Sequence, residues 1–425
     1  MSHSRKHTGL KGKSKTAYFY MLMLISANFF HLQPISPLTS NDICLALFLL
    51  FLILGHFLFK PGSKILTITH SRGNWPIYLI LLGVLISFFP SKSLYGQSFM
   101  TSLTTSRCML TVLALPLLFA IKPEKTEIES AVNWFSITLM VFAVLDSLEF
   151  PVIDRSFFLD EDKPVTLIDE DSYVMLLPGF QWVGISLFFC LDRLKGNFSR
   201  KNLARSVFYF AMVFILQNRT MLFISAVLFA CTMFTIKGKS KSSTRFYRLF
   251  AFLIIIIMAA ATAPQWMKLF KETSEQLGDS DYNRLLAYNY FLFEACPRWY
   301  HYLTGTGLIS AKTSSIMKDL MDAGIYNSDV GIVGLWDHYG ILPVIAVAIV
   351  TIKPLLSKTV PYHIKLQAFF ILIGGLTIAC FNTPDKILWL CTYIYLTKHE
   401  SPVLDRREGR KVQTRGQKHT DITHC

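Results

Sequence analysis

The chain has 425 residues, 52% of them hydrophobic and only 16% charged, with a mean hydropathy of +0.41; an ordinary soluble globule carries charge on about a quarter of its residues. The net charge of +14 would suit nucleic acid, but the basic residues lie in short segments between apolar runs and at both termini, which reads as membrane orientation and excludes nucleic acid as the partner. The eight cysteines are scattered, with no CxxC pair and no even set in one loop, so neither a disulfide framework nor a zinc site is indicated.

The chain order begins with a basic head, 1–16, in which Arg5, Lys6, Lys11, Lys13 and Lys15 place the N-terminus in the cytoplasm. No small-residue cleavage site follows the first apolar run, 18–32, so that run reads as a retained anchor. Run 43–59 returns to Lys60, Lys64 and Arg72, 75–89 goes out, and 99–121 comes back to Lys122 and Lys125. Run 131–150 goes out to a loop rich in carboxylates, from Asp154 to Asp171, balanced only by Arg155 and Lys163. Those carboxylates show no cation-ligand spacing and read as a solvated outer loop. Run 173–191 then returns to Arg193, Lys195, Arg200, Lys201 and Arg205.

Segment 206–236 has basic residues on both flanks, Arg205 before it and Lys237, Lys239, Lys241, Arg245 and Arg248 after it. Its single polar break is Gln217-Asn218-Arg219-Thr220. A tight hairpin of two short helices follows, each arm of roughly 15 residues rising about 22 Å, with Arg219 at or near the tip. A guanidinium at that depth must face protein, water or an anion. Run 249–263 then crosses outward and delivers a large polar loop, 264–329. Runs 332–352, 366–381 and 387–397 complete the bundle, and 398–425 is a basic cytoplasmic tail. The expected fold is an all-α polytopic membrane protein of twelve spans with both termini inside. Spans one to nine occupy 17–263 and spans ten to twelve occupy 330–397. No internal repeat is visible, which weighs against an inverted-repeat transporter.

Within the large loop, Asp279-Ser280-Asp281 introduces a helix expected over 282–299. At 3.6 residues per turn, Arg284, Tyr288, Phe291 and Ala295 share one face. Pro297 ends the helix and leaves Arg298, Trp299 and His301 in the next turn. The Gly305-Thr306-Gly307 turn lacks the spacing and the βαβ setting of a dinucleotide loop. His301 and His338 sit in no His-x3-His pattern, so no metal centre is expected. Two guanidiniums beside a membrane can clamp a lipid-linked pyrophosphate bidentately and neutralise it as a leaving group.

Three stretches carry a resemblance: Gln217-Asn218-Arg219-Thr220-Met221; Asn283-Arg284-Leu285 leading to Thr304-Gly305-Thr306-Gly307; and Ser328-Asp329-Val330-Gly331-Ile332-Val333-Gly334 through Tyr339-Gly340-Ile341. Together they resemble the bacterial O-antigen polymerase and ligase superfamily, in detail over the second half of the chain and in span layout over the first. The resemblance implies a multi-pass protein of the bacterial cytoplasmic membrane that acts on undecaprenyl-diphosphate-linked glycans, with Arg219 and Arg284 at the pyrophosphate. It implies no cofactor or metal, and it leaves room for a chain-length-regulating partner. Ligases of this family place a His about eleven residues before the glycine that stands here as Gly340; this chain has Asp329 there, which is more similar to the polymerase branch. The expected reaction is polymerisation of lipid-linked repeat units, with Asp329 as first and Glu294 as second candidate for general base. Arg298, His301, Tyr288 and Arg107 are candidate contacts to sugar or phosphate. The rival readings are an O-antigen ligase and a flippase or transporter of lipid-linked sugars.

Overall fold

The computed structural model describes residues 3–59, 74–148, 150, 152–154, 177–216, 218–236, 242, 244–246, 248–249, 252–253, 256, 283–310, 315–326, 330–376 and 383–400. Among these residues the chain is all-α, and a single isolated bridge between Leu32 and Ile153 stands in place of any sheet. Among the described residues, three helices are long and apolar enough to cross a membrane: α1 (His3–Ser26) is followed by α2 (Asn41–Phe59) and α3 (Trp75–Tyr95), which are two of them, and the third lies in α6 (Lys125–Ser147). Between them, α4 (Phe99–Thr105) and a stretch that ends in α5 (Ala114–Ile121) form one bent pair, turning by 61° at the break. Large apolar side chains such as Leu50, Phe57, Leu58, Phe89 and Trp134 stand exposed on the outward faces. Lipid is the solvent that suits such a surface, because every helix satisfies its own backbone. The protein is a membrane protein.

At the centre stands α7 (Gln181–Gly196), whose residues from Gln181 to Leu191 are all buried. A helix apolar on every side can be stable only when neighbours surround it. Here α6, α8 (Arg200–Ile215), α9 (Arg219–Thr235) and α15 (Tyr362–Gly374) all pack against it. Trp182, Phe188 and Phe189 form its largest buried side chains.

The expected hairpin is present as α8 and α9, with Leu216 closing the first and Asn218 preceding the second. Phe210 on one arm and Phe229 on the other lie with ring centroids 5.2 Å apart, tilted by 44°; on one straight helix, 19 residues would separate them by about 28 Å. The cause of the turn is local: the Asn218 side chain caps α9 by accepting from the Met221 N–H at 2.9 Å.

Other expected runs are interrupted. Run 18–32 stays helical only to Ser26, after which Asn28, Phe29, Phe30 and His31 all take positive φ, and Pro34 and Pro37 remove backbone donors beyond them. The basic head expected over 1–16 is helical from His3 onward and continuous with the first apolar helix. Run 332–352 is two helices, α13 (Ile332–Tyr339) and α14 (Ile341–Leu356), broken at Gly340, while α16 (Pro384–His399) forms the last one. The loop contributes α10 (Asn283–Asn289), α11 (His301–Thr304) and α12 (Ser315–Asp322).

The two ends of the bundle differ in chemistry. At one end, Lys125, Asp192, His363 and Glu400 interlock α6, α7, α15 and the end of α16, with Lys125 Nζ 2.9 Å and His363 Nδ1 3.1 Å from Asp192 Oδ2. Arg193 adds a 2.6 Å bridge to Glu129. The other end gathers the hairpin tip, the described part of the large loop and the start of α16. There Asp385 Oδ2 accepts from the Gly179 N–H at 2.8 Å and from Gln181 Nε2 at 2.7 Å.

Candidate functional site

The large loop meets the bundle at α13, and the junction is built from backbone. A helix end leaves its last carbonyls without partners. Here the Asp337 carbonyl receives the Thr306 N–H at 2.6 Å, and the His338 carbonyl receives the Gly307 N–H at 3.0 Å. The Gly-Thr-Gly turn is therefore the C-terminal cap of α13. Gly305 (φ 76°, ψ 172°) and Gly340 (φ 73°, ψ −168°) occupy a region open almost only to glycine. A Cβ on Gly305 would lie 2.4 Å from the His338 carbonyl oxygen, and one on Gly340 would lie 2.2 Å from that of Leu303. Gln97 continues the seam, donating to the Leu308 carbonyl at 3.1 Å and accepting from the Ser310 N–H at 2.9 Å.

Inside this junction lies a buried polar cluster. Asp337 Oδ1 accepts from Thr306 Oγ1 at 3.2 Å and lies 3.7 Å from Cys296 Sγ. Its Oδ2 sits 3.0 Å from His338 Nδ1. Tyr95 of α3 also hydrogen-bonds Thr306. Burial, reinforced by the Asp337 carboxylate, pushes the Cys296 thiol up to about 12.

The loop helix α10 continues as a π turn, Tyr290–Glu294, in which the Ala295 N–H reaches the Tyr290 carbonyl at 2.8 Å. Its apolar side forms a small core of Ala287, Phe291 and Ala295 with Val330. Arg284, the second residue of this helix, is half-buried, and its Nε is buried without a hydrogen-bond partner among the described residues. One turn on, the Tyr288 hydroxyl donates to the Leu376 carbonyl, just beyond α15. Burial raises the Tyr288 phenol, and Arg284 partly opposes that.

Arg219 is the first residue of α9. Helices α9 and α15 run antiparallel, since Thr232 meets the Tyr362 hydroxyl at 2.9 Å while Ile224 lies beside Gly374. The helices that carry Arg219 and Arg284 therefore both reach the same end of α15.

The remaining expected site residues are spread more widely. Asp329 lies outside the described residues. Glu294 is exposed and accepts from Asn289 Nδ2 at 2.8 Å. Arg298 is exposed and donates to the Tyr300 hydroxyl at 2.8 Å. Arg107 pairs with Asp42 and donates to the Thr104 carbonyl. His301 is fully buried; its Nδ1 accepts from the Arg298 N–H at 3.3 Å, which leaves the proton on Nε2. That Nε2 has no partner among the described residues. Burial, then the Arg298 charge, lowers the His301 imidazole below its ordinary value, against a weaker pull from Asp337.

Sequence reasoning missed Asp337, Thr306 and Cys296 as a cluster. The available signal was Asp337 itself, an ionisable residue inside an apolar run, where such residues are costly and functional by default. No protein-family model matches this chain, and no curated protein matches it either.

Proposed function

We propose that this protein is a membrane glycan polymerase that joins undecaprenyl-diphosphate-linked repeat units into a surface polysaccharide. The observation that carries the reading is that the helices bearing Arg219 and Arg284 both reach the same end of α15, with Arg284 Nε buried and unpartnered among the described residues. A buried guanidinium donor without a partner is costly, and an anion shared with Arg219 would satisfy it. In this reading the chain spans the bacterial cytoplasmic membrane twelve times, with both termini inside and the large loop outside.

The donor pyrophosphate lies against Arg219 and Arg284. A sugar hydroxyl of the incoming unit attacks the anomeric carbon of the growing chain and forms the new glycosidic bond. The bond from that carbon to the phosphate oxygen breaks, and the lipid diphosphate leaves with the electron pair. The hydroxyl proton passes to a carboxylate, Asp329 first and Glu294 second. Charge on the leaving group is met by the two guanidiniums, so the step requires no metal. Arg298, Tyr288, His301 and Arg107 are the further candidate contacts to sugar or phosphate in this reading.

Two rivals make different products. A ligase would move finished glycan to a lipid acceptor, and a transporter would move the lipid-linked unit without joining it. Purified protein supplied with its lipid-linked repeat unit is expected to yield products longer than one unit. Arg219→Ala and Arg284→Ala should each slow elongation about 100-fold or more. Absence of elongation by folded protein on its cognate unit would overturn the reading.

A further inference from the structure

Among the described residues, the helix that carries Arg284 is anchored near that residue by the Tyr288 hydroxyl on the Leu376 carbonyl and by a small apolar core. Its apolar contacts amount to Ala287, Phe291 and Ala295 on Val330, with Tyr288, Tyr290, Ile325 and Val333 at the margin. Its far end is held by polar groups: Tyr302 Oη donates to the Leu292 carbonyl at 2.9 Å, and Trp336 Nε1 donates to the Tyr302 carbonyl at 2.6 Å. Trp336 belongs to α13, the helix that buries Asp337. Asp337 ties its own helix to two other pieces of chain, through Cys296 after the π turn and Thr306 in the glycine turn, and its second oxygen meets its neighbour His338.

We propose that Asp337 is a positioning residue, a latch that fixes the loop helix so that Arg284 faces the hairpin bearing Arg219. The end of the loop helix, Glu294 just before Cys296, stands ten residues from Arg284, at most about 15 Å along it, so a tilt of about 10° there would move the guanidinium by about 2–3 Å. A displacement far smaller than that is enough to cost 100-fold in rate. Asp337 acts through Arg284 and not as the general base, since both of its oxygens are occupied by protein groups. The catalytic part of this proposal rests on the polymerase reading, whereas the latch itself does not.

The test has two arms. In membranes, Cys296 should resist maleimide in the native protein, react at least tenfold faster in Asp337→Ala, and stay protected in Asp337→Asn, which keeps an acceptor oxygen for Thr306. Peptide mapping separates Cys296 from the other thiols. Thr306→Val, which removes only the hydroxyl, replaces Asp337→Ala if the latter does not fold. Continued protection of Cys296 in both Asp337→Ala and Thr306→Val would overturn the latch. In the elongation assay, Asp337→Ala should lose about 100-fold, mainly in kcat, and the double variant with Arg284→Ala should be no slower than Arg284→Ala alone. Asp337→Asn should retain most activity. A loss in Asp337→Asn equal to that in Asp337→Ala would make Asp337 the base and overturn positioning. If the native protein elongates nothing, the polymerase reading fails while the thiol arm still decides the latch.

Discussion

His301 shows how one buried ring can make the junction sensitive to pH. It is fully buried, accepts from the Arg298 backbone N–H through Nδ1 and feels both the Arg298 charge and the Asp337 carboxylate. Its protonation lies below the ordinary 6.5 in the folded state. Between that lowered value and about 6.5 the unfolded chain binds more protons than the folded one, so stability falls as pH drops through this window. The unfolding midpoint in detergent should therefore decline between pH 7.5 and pH 5.5, and the decline should shrink in His301→Gln. An identical slope in the variant would place the pH sensitivity elsewhere. Arg107 illustrates the opposite case, a charge already answered by Asp42 across the surface.

At the scale of elements, the break between α13 and α14 is what lets the loop dock. A continuous helix over 332–352 would satisfy its own carbonyls and leave nothing for Thr306 and Gly307 to cap. Gly340 makes the break because its backbone angles suit almost only glycine, at a cost of about 1–3 kcal/mol for any other residue. Gly340→Ala also drives a methyl into the Leu303 carbonyl. It should lower the unfolding midpoint far more than Gly96→Ala, where φ is 64° but an added Cβ meets nothing within 4 Å. Gly96→Ala carries only left-handed strain of about 1–2 kcal/mol. Equal shifts in the two variants would show that close packing at Gly340 adds nothing.

Across the whole molecule, the bundle separates two chemistries. One end is tied by Lys125, Asp192, His363 and Glu400; the other carries the hairpin tip, the loop and Asp385. The proposed orientation puts the loop end outside. In intact cells a membrane-impermeant maleimide should label Ser315→Cys, on exposed α12, and reach Gly196→Cys, at the exposed end of α7, only after permeabilisation. The reverse pattern would invert the topology, and labelling of both sites in intact cells would place the two ends on one side.

Much of this architecture was legible in the residues, and the reason is that lipid imposes local rules. Apolar runs such as 43–59 and 75–89 must be helical because no water is available for their backbones. The Gln217–Thr220 interruption exposed the hairpin because polar groups cannot lie mid-helix in lipid without partners. The loop helix face of Phe291 and Ala295 followed from the 3.6-residue period. The junction did not follow from any such rule. Gly305 meets Gly340, Cys296 meets Asp337 and Gln97 meets Ser310 across separations that no local period encodes. One aspartate in an apolar run reads the same whether it faces a substrate or fastens a loop. Only packing, which brings Thr306, Cys296 and His338 around it, distinguished the two.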